Sequence, residues 1–287
     1  MNLKLPSVKT NTPKCKLTLM NSGFYGTKLN MIKKGSPRKH IWGPAFWFII
    51  EHPTHGTILF DTGYHSRYYE VTKKFPYNIL NWILPVKIHK EEDAKQQLKK
   101  RGISPDDVTI ILSHLHIDHT GGVCDFPNAP VYISKEEWEL GQETDLQLLK
   151  KGYLKPLFSM LKQEQMKIVD FDQGKAYGPF NKSIDIFQDG SLILVPLFGH
   201  SVGQMGLILN CSESERYFLC VDAVYCRGNY EEIAYSSILT NVAHANVKQY
   251  HDLYNLLNKI WKANPDLEII PSHDPDIYRE HFGPLPR

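Results

Sequence analysis

Residues 108–122 constrain the fold of this chain more than any other segment. The run VTIIL at 108–112 is typical of a buried strand, and it leads directly into SHLHIDHTGG at 113–122. His114 and His116, followed closely by Asp118 and His119, place four metal-binding side chains at one strand-to-helix junction. The glycine pair at 121–122 lets the backbone turn tightly behind them. The segment therefore predicts a metal site at the end of a buried strand.

Three further candidate ligands follow other predicted strands. His200 comes after LILVPLFG, Asp222 after RYFLCV and His273 after LEIIPS. Each alone would more often be a core or turn residue, but with the first motif they supply five imidazoles and two carboxylates. A single ion takes three or four protein ligands. Seven donors therefore predict two divalent ions that share a carboxylate.

The remaining pattern predicts an α+β fold in one domain over residues 1–287. Strands are predicted at 16–23, 45–50, 56–63, 108–113, 130–133, 166–170, 183–187, 191–197, 203–210, 216–223 and 267–273, and helices at 89–102, 134–150 and 246–263. Strands and helices do not alternate regularly, so packed sheets are favoured over a doubly wound parallel sheet. Residues 64–90, rich in aromatic side chains, predict short helices or a lid.

Composition narrows the class of protein. The 33 Lys and Arg residues against 31 Asp and Glu give a net charge of only +2, which argues against a nucleic-acid partner. No apolar stretch approaches the ~20 residues of a membrane span. Five cysteines without a CxxC pair and an N-terminus without an apolar signal segment favour a cytoplasmic location.

The motifs resemble those of a known family. HLHIDHTGG is similar to the HxHxDH signature of the metallo-β-lactamase superfamily, and FDTG at 60–63, GHSVG at 199–203, VDA at 221–223 and SHD at 272–274 resemble its other landmarks in order. The resemblance implies a four-layered αββα sandwich with a dinuclear site at one edge of its two sheets. The implied ligands are His114, His116 and His200 for the first ion, Asp118, His119 and His273 for the second, and Asp222 between them. Asp61 would orient a ligand histidine. Zinc suits these donors, although iron, cobalt and manganese bind the same types.

Within that superfamily, Tyr225 favours one branch. It stands three residues after Asp222 in VDAVYC, a spacing that resembles the quorum-quenching N-acyl homoserine lactonases. The implied reaction is hydrolytic opening of the lactone ring by a metal-bridging hydroxide. Tyr225 would stabilise the oxyanion, and Asp118 would carry a proton to the leaving alkoxide. The alternative for Tyr225 is a packing role in the turn after a strand.

Other functions remain open at this point. The same two metals would serve a general lactonase, an esterase or a phosphotriesterase, and a catalytically silent metal-binding relative is a further alternative. Leu197-Phe198 precedes the GHS motif where relatives usually carry proline, so the substrate is less certain than the chemistry. The candidates for an apolar pocket wall are Met20, Phe24, Trp42, Tyr64, Tyr68, Tyr69 and residues 75–85. Trp82-Ile83-Leu84 could equally form a homodimer contact. The other eight histidines are expected in the surface or core, with His244 a weak pocket candidate.

Overall fold

The computed structural model describes residues 3–286; residues 1, 2 and 287 of the predicted domain lie outside the described part. Its strands form two sheets. They are β1 (Lys16–Lys28), β2 (His40–His52), β3 (Gly56–Phe60), β4 (Val86–Lys87), β5 (Val108–Ile111), β6 (Val131–Ser134), β7 (Met166–Val169), β8 (Lys175–Tyr177), β9 (Phe180–Asp185), β10 (Leu192–Pro196), β11 (Met205–Ser212), β12 (Glu215–Val221) and β13 (Leu267–Pro271).

Most helices are short. They are α1 (Leu29–Ile32), α2 (Tyr68–Val71), α3 (Leu80–Ile83), α4 (Ala94–Lys100), α5 (Ile117–Thr120), α6 (Lys135–Gly141), α7 (Asp145–Lys150), α8 (Arg227–Glu231), α9 (Val247–Ala263) and α10 (Pro275–Phe282). Single 3₁₀ turns lie between several of them. Within residues 3–286, no helix is long and apolar enough to cross a bilayer.

The first sheet has the strand order β4-β1-β2-β3-β5-β6-β7, and the second has the order β13-β12-β11-β10-β9-β8. In the first sheet, β3, β5, β6 and β7 run parallel, with helices in the connections between them. In the second sheet, only the β12–β13 pair is parallel. Both sheets therefore mix antiparallel hairpins with parallel pairs.

Three apolar layers hold the fold together, and they confirm the predicted αββα architecture. The central layer lies between the sheets, where Phe48 and Phe60 of the first sheet share a cluster with Leu194 and Leu207 of the second. One outer layer packs α4, α6 and α7 against the first sheet. The other packs α9 against the second sheet. Burying these faces is the main favourable term in folding.

Two of the three predicted helices differ in extent from those of the structure. The helix predicted over 134–150 begins as expected, because Ser134 accepts a hydrogen bond from the N–H of Glu137, but it ends at Gly141 and a new helix, capped by Thr144, begins at Asp145. Gly141 packs against Leu115, whose Cδ1 would lie 2.8 Å from a Cβ at this position. The helix predicted over 89–102 is shortened to α4, which follows a 3₁₀ turn at Lys90–Glu92.

Candidate metal centre

The predicted ligands meet because their strands end at the same edge of the sandwich. β5 ends just before His114, β12 just before Asp222, and β13 just before His273. Backbone hydrogen bonds join the two sheets at this edge: Met205 N–H donates to the carbonyl of Ser113 at 2.9 Å, and Phe46 N–H donates to that of Ser272 at 3.0 Å. Side chains from both sheets are thereby held around one space.

The first donor group contains three imidazoles and one carboxylate. His116 Nδ1 lies 3.0 Å from His114 Nε2 and 2.9 Å from His200 Nε2. Asp222 Oδ2 lies 3.2 Å from His200 Nε2 and 3.9 Å from His114 Nε2. All four residues are buried, or nearly so, and their donor atoms lie within 4.8 Å of one another.

The second donor group shares Asp222 with the first. Asp222 Oδ1 lies 3.4 Å from His119 Nε2 and 3.2 Å from His273 Nε2. Asp118 closes the group, with its carboxylate oxygens 3.7 Å from His119 Nε2 and 3.4 Å from His273 Nε2. His273 Nε2 also lies 3.2 Å from Asp222 Oδ2. The Asp222 carboxylate therefore lies between the two donor groups, a position from which it can serve a cation on either side.

The donor atoms fit divalent metal ions. His119 Nε2 and Asp222 Oδ1 are buried and make no hydrogen bond, an expensive state for polar atoms unless something else satisfies them. Burial and the neighbouring imidazoles hold the pKa of His114 and His116 well below the usual value, although Asp222 opposes the shift. Both imidazoles are therefore neutral, and each has an unprotonated nitrogen that can bind a cation. A cation bound to both would turn the repulsion between these nitrogens into attraction.

Most of the ligand imidazoles are oriented through their second nitrogen, as metal-binding histidines usually are. Asp61 Oδ2 lies 2.7 Å from His119 Nδ1 and accepts from the Ser113 hydroxyl at 2.7 Å. The carbonyl of Pro44 lies 2.7 Å from His273 Nδ1. The predicted orienting role of Asp61 thus agrees with its contacts, whereas no sequence pattern pointed to Pro44.

The backbone is strained on both sides of the cluster. Asp61 has a φ of 62° and Val221 a φ of 45°. A positive φ is a real outlier for a β-branched residue such as Val221. A strained backbone conformation persists only where the surrounding structure holds it in place, and such conformations are frequent at functional sites. Here the strained conformation of Val221 turns the chain at the end of β12 so that Asp222 enters the donor groups.

Comparison with known proteins agrees with this architecture. The family model that describes the metallo-beta-lactamase superfamily matches residues 40–226 of the sequence. The chain belongs to this superfamily. It is therefore a hydrolase of the metallo-β-lactamase fold, and the resemblance found in its motifs is confirmed.

Two of its curated relatives are N-acyl homoserine lactonases. An N-acyl homoserine lactonase, AttM, of Rhizobium radiobacter is 26% identical over 267 residues, which cover 92% of this chain and 94% of the relative. The lactonase AiiA of Bacillus thuringiensis subsp. kurstaki is 27% identical over 238 residues, 81% of this chain and 85% of the relative. A solved N-acyl homoserine lactone hydrolase, with N-hexanoyl-L-homoserine bound at its metal centre, superimposes with a TM-score of 0.73 at 23% identity, over 94% of this chain and 96% of the other.

A cleft of about 440 Å³ opens above the donor groups of this metallo-β-lactamase fold. His116, Asp118, His200, Asp222 and His273 form its floor. Its walls are largely apolar and combine three distant segments: Leu80, Ile83 and Leu84; Leu149; and Val242 and Ala243. A cleft of this size accepts a small organic molecule and presents it to the donor groups.

Tyr225 lies at the boundary between floor and wall. It is 9% exposed, and its ring centroid is 6.5 Å from that of His200 and 6.0 Å from that of His273. The Asn229 side chain fixes its backbone by accepting its N–H at 2.8 Å. Burial, and then the charge of Asp222, raises the pKa of the Tyr225 phenol well above its usual value. Its hydroxyl therefore keeps its proton and can donate it in a hydrogen bond.

Only part of the predicted pocket wall lies at the cleft. Tyr64 and the Leu80–Leu84 segment line it, whereas Met20 and Tyr68 are fully buried in apolar clusters. Phe24 packs edge-on against Tyr278 instead. The remaining candidates also lie elsewhere: Trp42 under the Lys87 ammonium and Tyr69 on the surface.

Sequence reasoning also missed residues that line or support the cleft. Tyr25 lines it and meets His273 edge-on at 4.9 Å between ring centroids. His244, only a weak candidate from sequence, lies directly behind His200, with 3.1 Å between their Nδ1 atoms. No motif surrounds either residue. The aromatic content near Tyr25 was the only available signal.

Two smaller clusters of donor-type side chains lie elsewhere, around His52 and around His65. In the first, His52 Nδ1 accepts the N–H groups of Thr54 and His55, both at 3.2 Å. In the second, His65 Nδ1 accepts the N–H of Arg67 at 2.9 Å. In both histidines Nε2 must then carry the proton and face a carboxylate. They are therefore hydrogen-bonding residues of turns and lack a free lone pair for a metal.

Proposed function

We propose that this chain hydrolyses the lactone ring of N-acyl homoserine lactones, a quorum-quenching activity. The observation that carries the proposal is the position of Asp222 between two histidine groups, at the floor of an apolar cleft and beside the protonated Tyr225. This combination suits a small ester with an apolar tail. The lactonase names of the relatives support the same substrate class.

His114, His116 and His200 would hold one ion, Asp118, His119 and His273 a second, and Asp222 would bridge both. When bound, such ions make a water molecule nucleophilic at neutral pH and polarise the carbonyl under attack. Zinc is the ion that we propose, because imidazole and carboxylate donors in buried sites suit it well.

Two side chains would act on the substrate directly. The Tyr225 hydroxyl would donate a hydrogen bond to the carbonyl oxygen as negative charge develops there, and this interaction is strongest in the transition state. Asp118, whose side chain is 13% exposed at the edge of the cleft, would take the proton that the attacking water loses and pass it to the alkoxide that leaves when the ring opens. The apolar wall would take the acyl chain.

A substrate panel tests the proposal. Purified, zinc-loaded protein would be incubated with acyl homoserine lactones of several chain lengths, a simple lactone, an aryl ester, a phosphotriester and a β-lactam, with acid release as the readout. We expect the acyl homoserine lactones to be turned over with the highest kcat/KM. Faster hydrolysis of the ester or the phosphotriester would replace the lactonase with another hydrolase of the same superfamily.

A homodimer and a cytoplasmic location also remain proposals. Trp82 and Ile83 are 88% and 71% exposed, so their side chains are free to form the predicted contact between two copies. Light scattering of the wild type and of Trp82→Ser would test this, because a monomeric wild type would exclude it. The location is proposed from cysteine usage, since all five cysteines are free thiols.

A further inference from the structure

Glu137 is a buried carboxylate that the proposed chemistry does not use. It lies in the first turn of α6, and none of its surface is exposed. A buried carboxylate is costly unless its oxygens are well bonded, so its contacts indicate what it does.

Those contacts join the two loops that carry the first group of histidines. Glu137 Oε1 accepts the N–H of Leu115, the residue between His114 and His116, at 2.9 Å. Glu137 Oε2 accepts the hydroxyl of Ser201, the neighbour of His200, at 2.6 Å. One carboxylate therefore touches a residue adjacent to each of the three histidines.

The packing around Glu137 strengthens the connection. Its Oε2 also accepts the N–H of Gly203 at 3.0 Å, and the Ser134 hydroxyl donates to the carbonyl of Gly203 at 2.6 Å. A Cβ on Gly203 would lie 2.4 Å from the N of Glu137. Glycine is therefore required for this close approach between α6 and the His200 loop. The ring of Tyr153 covers His116 at 4.4 Å between centroids.

We infer that Glu137 is a positioning residue for the first metal site alone. It fixes the separation of the His114–His116 loop from the His200 loop, and with it the geometry of three ligand nitrogens. Within residues 3–286, the hydrogen bonds that Glu137 accepts come from Leu115, Ser201 and Gly203, and none comes from the second group, Asp118, His119 and His273. This inference rests on the proposed two-metal function.

The test compares metal affinities at the two sites. Metal-free wild type, Glu137→Gln and Ser201→Ala would be titrated with Zn²⁺ against a chromogenic chelator, and circular dichroism would monitor folding. In Glu137→Gln, one amide group can no longer accept from both loops. We expect one of the two zinc affinities to fall by roughly 10–100-fold and the other to stay within about threefold, as for other residues that support metal ligands. Ser201→Ala, which removes a single hydrogen bond, should weaken the same affinity by a smaller factor.

Two controls separate positioning from general destabilisation. Asn258 is a buried side chain that bonds to the carbonyl of Tyr230 at 2.7 Å, away from the donor groups, so Asn258→Ala should lower the melting temperature and leave both zinc affinities unchanged. Unchanged affinities in Glu137→Gln, or an equal loss at both sites, would overturn the inference. If Glu137→Gln does not fold, Ser201→Ala replaces it in the test: unchanged zinc affinities, or an equal loss at both sites, would again overturn the inference. A wild type that binds two zinc ions and opens no lactone contradicts only the proposed function, whereas a wild type that binds no zinc contradicts both.

Discussion

Tyr225 is the residue whose proposed role depends most on a single atom, its hydroxyl oxygen. Tyr225→Phe removes this hydrogen-bond donor and keeps the ring. We expect kcat on acyl homoserine lactones to fall by roughly 10–10³-fold, the range for loss of one oxyanion donor, and zinc content to stay the same. Tyr230→Phe is the matched control, because Tyr230 is buried and donates to a backbone carbonyl outside the cleft. An unaltered rate in Tyr225→Phe would restrict Tyr225 to packing.

Asp222 belongs to both donor groups and Asp118 to one, so substitutions of the two residues should differ in how many metal ions the protein retains. Burial raises the pKa of Asp222, but His273, His119 and His200 outweigh burial and hold it well below the usual range, so both oxygens are available as charged ligands. In Asp222→Asn one oxygen becomes an amide nitrogen, which is no ligand. We expect this protein to retain no more than about one ion by elemental analysis. Asp118→Asn should weaken one site only. Two ions held tightly by Asp222→Asn would contradict the shared carboxylate.

At the scale of elements, α3 supplies an apolar wall to the cleft, and its neighbouring side chains separate two roles. Ile83 lines the cleft, whereas the adjacent Trp82 is exposed and does not. Ile83→Ser should raise KM for long-chain acyl homoserine lactones by about 5–30-fold and change KM for short-chain ones little, since one apolar side chain contributes ~1–2 kcal/mol. Trp82→Ser should leave both values unchanged. Equal effects of the two variants would remove α3 from substrate binding.

The turn between β2 and β3 should make stability depend on pH. His52 Nδ1 accepts two backbone N–H groups there, and burial lowers the pKa of His52, although Asp189 opposes the shift. The folded state therefore binds a proton more weakly than the unfolded state. The contribution of His52 to the free energy of unfolding is complete above its unfolded-state pKa of about 6.5. That contribution is lost as the pH falls below this value. In urea unfolding, the free energy of unfolding should fall less between pH 7 and pH 5 for His52→Asn than for the wild type, because asparagine keeps a hydrogen-bond acceptor but cannot titrate. The same loss in both proteins would exclude His52 as the cause.

The elements also show what the sequence could and could not predict. The donor groups were predictable because their residue types are rare in combination and each stands at the end of an apolar strand, as in the segment from Val108 to His119. The break after Gly141 has a local signal, the capping box of Thr144 and Gln147, which the prediction of one helix over 134–150 missed. The cleft wall, by contrast, depends on the meeting of Leu84, Leu149 and Val242, which are distant in sequence. Local patterns carry no information about such contacts, so most aromatic residues proposed for the wall lie elsewhere.

For the whole molecule, the two sheets act as one support for the proposed centre. Each sheet contributes ligands from the ends of its strands, and hydrogen bonds between the sheets fix their distance. The rigid strands fix the points from which the donor-bearing loops start. The cleft walls come largely from the short helices and turns outside the sheets, so the walls and the donor groups belong to different elements of the fold. This separation explains why the reaction class was more evident from sequence than the substrate.

The most direct test of a two-metal lactonase is a stepwise zinc titration of the metal-free protein, with ring opening of an N-acyl homoserine lactone followed at each step. The product would be identified by mass spectrometry as the lactone plus one water. The account predicts that turnover rises with zinc until two ions are bound per chain and then remains constant. Full activity with one ion per chain, or no ring opening with two ions bound, would contradict it.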